Sequence, residues 1–303
     1  MPEQRRGLLF GITAYGLWGV LPLYWTLLEP AGAVEIIAHR ILWSMVTMGL
    51  LVVVLRRTSQ LRAILAHRRT LGLLVSAALV ITVNWVVYVY GVNNEMVVET
   101  SLGYFINPLV TVLMGVLLLG ERLRPLQWGA IGVASIAVVV LTIDYGRLPY
   151  VALVLAFSFG TYGLLKKTAD VGAVESLAVE TTVVAPLAAA YVAWLVATGD
   201  SSFGAEGTGH AALLVSTGII TAIPLICFGA AAIRVPLTTL GLLQYLAPTL
   251  QLVIGVFVMD EAMPASRWVG FVLVWIALVI FTVEATNHRR RQLRLTVHAS
   301  AAA

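Results

Sequence analysis

The sequence predicts an all-α integral membrane protein of ten transmembrane helices, arranged as two inverted five-helix repeats. Three observations carry that prediction: an apolar composition, a one-sided distribution of cations, and an internal offset that superposes the two halves. Of 303 residues, 60% are hydrophobic and only 11% charged, with a mean hydropathy of +0.94. Soluble domains run at about 45–50% apolar and about 25% charged, so no water-soluble core could hide this much apolar surface.

A helix needs about 20 apolar residues to cross about 30 Å of hydrocarbon. That rule places spans at 7–28, 34–55, 70–92, 100–119 and 125–143, and again at 148–166, 176–198, 211–233, 238–258 and 264–284. The run from Gly7 to Leu28 is longer than a signal-peptide core and no small-residue cleavage site closes it, so it reads as an uncleaved first helix. Short loops separate the spans, which leaves little chain for an extramembrane catalytic domain. The expected organisation is one repeat over 1–143, a second over 144–287, and a basic tail over 288–303, NHRRRQLRLTVHASAAA with its flank, expected to be disordered and cytoplasmic.

The cations fix orientation. Arg5, Arg6, Arg56, Arg57, Arg62, Arg68, Arg69, Arg122, Arg124, Lys166, Lys167, Arg234, Arg289, Arg290, Arg291 and Arg294 fall on one side, sixteen of the nineteen Lys and Arg. The other side receives Arg147 and Arg267, and Arg40 lies within the second span. A missed or extra span would scramble this split, so the positive-inside rule puts both termini in the cytoplasm. The net charge of +4 therefore reports topology, with no nucleic-acid partner expected. The single cysteine, Cys227, can form neither an intrachain disulfide nor a metal cluster.

An offset of 140 residues superposes Gly32 on Gly172, Glu35 on Glu175 and Ala38 on Ala178, within AGAVEIIA and VGAVESLA. The same shift brings Pro108 onto Pro248, Gly115 onto Gly255, Glu121 onto Glu261 and Trp128 onto Trp268. An odd number of spans per repeat inverts the second copy, an architecture that secondary transporters use for alternating access.

The fourth span carries Tyr104, Asn107, Pro108, Thr111 and Gly115 on one helical face, and the ninth carries Gln244, Pro248, Gln251 and Gly255 at matching positions with Tyr245 beside them. Paired proline-broken polar faces in two inverted repeats point to a midplane substrate site with Pro108 and Pro248 as helix breakers; the competing reading is close packing by small residues. In EIIAHRILWS the second span places Glu35, His39 and Trp43 one turn apart, with Arg40 adjacent. Intramembrane charge is a functional hypothesis by default. Under the offset Arg40 maps onto Glu180, yet at about 1.5 Å rise per residue roughly 15 Å of depth separates them, so each is expected to serve a different gate. Against this stands snorkelling of Arg40 to the outer interface, while Glu35 and Glu175 fit helix N-terminal charges. Tyr15 and Trp18 of the first span, with Pro22 and Trp25, and Asn84 and Tyr88 of the third, complete a candidate substrate-binding set. Asn84 and Asn107 suit interhelical hydrogen bonding equally well. No phosphate loop, H-E-x-x-H, G-x-S-x-G or Cys/His ligand set is present, so neither an enzyme nor a cofactor is expected.

GLWGVLPLYW, AHRILWS, VNWVVYVYGVN, SLGYFINPLV and GLLQYLAPTLQ together resemble the RarD proteins of the EamA group in the drug/metabolite transporter superfamily, over almost the whole chain. The resemblance implies a bacterial inner-membrane protein with a central cavity formed by spans one to four and six to nine, and a name linked to chloramphenicol sensitivity or resistance. The expectation is a secondary transporter, in the export direction, of a small metabolite or amphiphilic drug, as monomer or homodimer. Proton coupling through His39, Glu180 or Lys166 and facilitated diffusion both fit. A non-transporting membrane scaffold or subunit is the alternative.

Overall fold

In the computed structural model, which describes residues 3–119, 123–232, 234–235 and 243–301, every regular element among the described residues is a helix. The helices are α1 (Glu3–Thr26), α2 (Ala33–Val54), α3 (Thr58–Ala66), α4 (Arg68–Asn93), α5 (Val97–Leu119) and α6 (Pro125–Tyr145), then α7 (Tyr150–Ala169), α8 (Ala173–Thr198), α9 (Gly207–Ala232), α10 (Leu246–Phe257) and α11 (Ala265–Ala301). Eight of them, α1, α2, α4, α5, α6, α8, α9 and α11, are long and apolar enough to cross a membrane, and α7 and α10 contain shorter apolar stretches. Glu121, Arg122 and the 238–242 start of the ninth expected span lie outside the described residues.

Local sequence explains the boundaries. Pro125 opens α6 behind a cap in which Gln127 Oε1 accepts from the Arg124 amide at 3.0 Å. The helix closes on Gly146 at φ +64°, and α8 closes on Gly199 at φ +80°, a left-handed backbone that costs glycine little. Pro108 does not end α5; the helix runs through it, as membrane helices allow when neighbours take up the freed carbonyl. Pro248 sits in the first turn of α10, where its missing N–H has no intrahelical partner to lose. Sequence reading assigned residues 58–66 to a loop; nine residues are too few for a span, yet they form α3, which buries none of its side chains. At the other end α11 continues helically through the basic run for which the sequence suggests disorder. An established helix extends without a new nucleation cost, and 285–301 contains neither Pro nor Gly.

Packing joins distant parts of the chain: α2 lies against α8 and α9, α1 against α9 and α10, α7 against α4 and α5, α5 against α10, and α6 against α11. One core gathers Trp25, Ile36, Ile37, Ile41, Tyr88 and Val184 from α1, α2, α4 and α8. Another gathers Leu102, Phe105, Ala134, Leu252 and Phe271 from α5, α6, α10 and α11. Outward faces keep large apolar side chains exposed, among them Leu50, Val54, Ile143 and Val279, which suits helices solvated by lipid rather than water.

Ion pairs pin the helix ends. Arg57 reaches Glu175 at 3.1 Å, and Arg147 reaches Glu99 at 2.8 Å, where the Glu99 carboxylate also accepts from the Val151 amide at 2.9 Å. Glu35 accepts instead from the Ser201 hydroxyl and the Ser202 amide, so it ties the start of α2 to the loop after α8.

Candidate functional site

Helical spacing puts His39, Arg40, Trp43 and Ser44 of α2 toward the bundle at successive turns. Arg40 is only 6% exposed. Its guanidinium carbon lies 4.0 Å from the centre of the Trp85 ring and 5.4 Å from that of Trp25, distances at which an aromatic face attracts a cation. Its Nε donates to Thr221 Oγ1 on α9 at 3.0 Å, and Thr221 in turn donates to the Thr217 carbonyl at 2.8 Å. The hydroxyls of Tyr24, Tyr88 and Tyr104 lie within electrostatic reach. Arg40 is thus held inside the bundle by three helices and does not snorkel to the interface. Among the described residues no carboxylate pairs with it.

Beside Arg40, Trp25 Nε1 and Tyr88 OH are buried with no hydrogen-bond partner among the described residues, and α2 itself carries other such atoms, both His39 ring nitrogens, Trp43 Nε1 and Ser44 Oγ. Such atoms are a few per hundred residues in native proteins; those on α1, α2 and α4 make up about half of the ones among the described residues, and others lie at Arg124, Tyr145, Ser202, His210, Gln251 and Glu284. The His39 ring stacks on Phe203 at 4.8 Å between centroids.

A second polar centre lies on α7 and α8. Glu180 accepts from Lys166 Nζ at 2.8 Å, from Ser176 Oγ at 2.6 Å and from Tyr162 OH at 3.1 Å, and Lys166 also donates to Ser176. Arg40 and Glu180 therefore occupy separate networks. Between them runs an aromatic file, Tyr88 to Tyr104 at 5.7 Å, Tyr104 to Phe159 at 6.0 Å and Phe159 to Tyr162 at 6.1 Å.

The remaining candidates divide. Asn84 is fully used between helices: Nδ2 donates to the Leu155 carbonyl at 3.0 Å and to Ser158 Oγ at 2.9 Å, and Oδ1 accepts from Tyr104 OH at 3.3 Å. Asn107 accepts from Thr111 one turn along α5 at 3.3 Å. Tyr15, Trp18 and Phe228 form an aromatic trio with centroids 5.4–6.0 Å apart. Gln251 joins this trio by donating to the Trp18 carbonyl at 3.2 Å, while its Oε1 has no partner among the described residues. Tyr245 engages Gln244 and Thr282 and packs on the α5–α6–α11 core, so these residues are not brought to Arg40. Ser101 Oγ takes the Pro248 carbonyl at 2.8 Å. Sequence reasoning missed Trp85, Thr221, Phe203 and Tyr162. Trp85 and Tyr162 were visible as aromatics well inside apolar runs; Thr221 carries no signal of its own.

Among the described residues no group of His, Cys, Asp and Glu is arranged to hold a metal. The Arg40 centre offers one fixed cation with indole and phenol faces around it.

A model of the EamA-like transporter family matches residues 5–143. The chain is 59% identical over 289 residues to a protein RarD of Streptomyces exfoliatus, covering 95% of this chain and 92% of that one. It is 42% identical over 287 residues to an uncharacterized transporter of Pseudomonas aeruginosa, covering 95% and 96%. A solved crystal structure of a protein superposes at a TM-score of 0.59 over 93% of this chain and 98% of that one, with 21% identity, a likeness of fold.

Proposed function

The chain belongs to the EamA-like transporter family as a RarD-type member, a membrane transporter of the drug/metabolite superfamily, and from that premise we propose that it is a ten-span secondary exporter working by alternating access. The solute is a small metabolite or amphiphilic drug, and the midplane site is built around Arg40. The observation that carries this reading is a buried guanidinium that no carboxylate among the described residues pairs, beside the unpartnered Trp25 Nε1 and Tyr88 OH, within membrane-length helices. A purely structural bundle has no use for them, since each unpaired buried polar group costs about 1–3 kcal/mol.

Two inverted repeats are supported by the packing. If α1, α2, α4, α5 and α6 correspond to α7, α8, α9, α10 and α11, then exchanging the halves turns α4–α7 into α9–α1, α5–α7 into α10–α1 and α2–α9 into α8–α4, each of which is an observed contact. The α2–α8, α5–α10 and α6–α11 pairs map onto themselves. In this reading α7 and α10 are spans six and nine, the termini are cytoplasmic in the bacterial inner membrane, and rocking of one repeat against the other exposes Arg40 and Glu180 to opposite sides in turn.

The test is flux into vesicles rebuilt from lipid and this protein alone. A saturable, counterflow-competent uptake of any member of a panel of organic acids, nucleosides and amphenicols supports the reading. Folded protein that supports no saturable flux across the panel favours a scaffold instead.

A further inference from the structure

The chemistry of the Arg40 centre is lopsided, and this narrows the class of solute. Among the described residues the buried partners of the other ion pairs are carboxylates that each have a cation: Glu180 has Lys166, Glu99 has Arg147, Asp144 has Arg267, Glu175 has Arg57 and Glu284 has Arg124. Glu35 is occupied by the Ser201 hydroxyl and the Ser202 amide. Arg40 has a neutral hydroxyl on Nε and ring faces, and its terminal guanidinium nitrogens make no hydrogen bond with any described residue. A guanidinium presents its outer donors as a planar fork matched to an oxyanion. With Nε held by Thr221 and one face on Trp85, that fork has a fixed orientation before any solute arrives.

We propose that the transported solute is a monoanionic carboxylate with an apolar, preferably aromatic, body: the carboxylate takes the Arg40 fork and the body lies against Trp25, Trp85 and Tyr88. Charge decides among the anions. One carboxylate brings the centre to neutrality. A phosphate dianion leaves a net negative charge inside the bilayer, which no second cation among the described residues at the centre offsets. A zwitterionic amino acid brings an ammonium group, and the nearby carboxylates are already occupied. The unpartnered Trp25 N–H and Tyr88 hydroxyl supply donors to the remaining lone pairs of the carboxylate or to polar groups on the body. Charging the fork with its anion also removes the main penalty for moving the site across the membrane, so the loaded carrier is electrically neutral at this centre.

This inference rests on the transporter reading, and its test separates the two. Purified full-length protein in detergent is titrated with benzoate, 3-phenylpropionate and octanoate, with the matching amides, with phenyl phosphate and with phenylalanine. Binding is followed by calorimetry and by ligand-induced thermal stabilisation. The acids should bind saturably, and at least one should bind about tenfold or more tighter than its amide, the range expected for a charge-assisted hydrogen bond. Arg40→Gln should abolish that preference, while Arg40→Lys keeps the charge, loses the planar fork and should retain a weakened preference. The acid–amide comparison on the unaltered protein stands even if the Gln variant does not fold. Equal binding of acids and amides, tighter binding of phenyl phosphate or phenylalanine, or no binding of any acid by folded protein overturns the proposal. Vesicle flux of a neutral solute that is saturable and indifferent to Arg40→Lys would overturn it too, while leaving the transporter reading intact.

Discussion

Arg267 Nε lies 2.9 Å from Asp144 Oδ2 at one end of the α6–α11 pair. At the other end Arg124 stands 2.9 Å from Glu284, a close ion pair without hydrogen-bond alignment. Each acid sits at the close of the apolar stretch of one helix and is gripped from the start of the other, so the two clips enclose the helix pair. The side chains at the first clip are 15% and 6% exposed, whereas Arg124 is 37% exposed. Removing one partner of a buried pair costs about 3–5 kcal/mol, and a solvent-screened pair gives about 1 kcal/mol or less. Asp144→Asn should therefore lower thermal stability in detergent clearly more than Glu284→Gln. The sites are far apart, so the double variant should show additive losses. Equal losses would mean that exposure does not set the strength of these clips.

Gly103 lies at a close approach of α5 to α7. A Cβ there would stand 2.8 Å from the Ala152 carbonyl oxygen and 3.0 Å from both the Ala152 Cα and the Leu155 Cβ, with backbone atoms on one side that cannot swing away. Small residues at such crossings are what let membrane helices pack closely. Gly103→Ala should cost about 1–3 kcal/mol through overpacking. Gly49→Ala meets nothing within 4 Å and should be neutral or stabilise by up to about 1 kcal/mol. Melting curves of the two variants side by side check the contrast; equal shifts would show that helix propensity, not crowding, governs both.

Glu261 caps α5 from another part of the chain. Its carboxylate accepts from the amides of Val97 and Val98, the latter at 2.9 Å, and so satisfies donors that the first turn leaves open. Glu261→Ala should cost about 1 kcal/mol, as loss of an N-terminal cap does, and should speed hydrogen exchange at Val97 and Val98. Burial raises its carboxyl above the ordinary 4.5 against the opposing pull of the two amide bonds. A value raised in the fold means that ionisation weakens it. Stability from this group is thus full below 4.5 and falls as pH rises through the raised value, a slope the alanine variant should lack.

Much of this architecture is legible from composition and periodicity because lipid imposes one rule on every span: satisfy the backbone internally and face apolar side chains outward. The helices over 33–54, 68–93, 125–145 and 173–198 fall where apolar runs predict them. Less was legible at the site. Arg40 announces itself as a charge in an apolar run, but its partner Thr221 is an ordinary hydroxyl 181 residues away, and its closest ring, Trp85, is one of 8 tryptophans. Asn84 looks like a ligand group from sequence, yet its donors and acceptor are consumed by Leu155, Ser158 and Tyr104. Spacing along one helix reports which face a residue occupies; it carries no information on which helix arrives opposite. The offset of 140 residues does place Asp144 on Glu284, but their arginines do not follow it, since Arg124 maps onto Pro264 and Arg267 onto Gln127.

Lys166 and Glu180 offer a way to separate fold from energy coupling. Glu180 is 2% exposed at its side chain and Lys166 22%, with Tyr162 and Ser176 completing the shell. Glu180→Gln leaves the Lys166 ammonium without its counter-charge and should cost about 3–5 kcal/mol, whereas replacing both residues, Lys166→Met with Glu180→Leu, removes the buried charges together and should restore most of the loss. If the pair relays protons, both variants should lose gradient-driven accumulation of solute in vesicles while keeping exchange down its own gradient, and the double variant should do so at near-native stability. Accumulation that survives in the stable double variant would show that this pair holds α7 to α8 and takes no part in coupling.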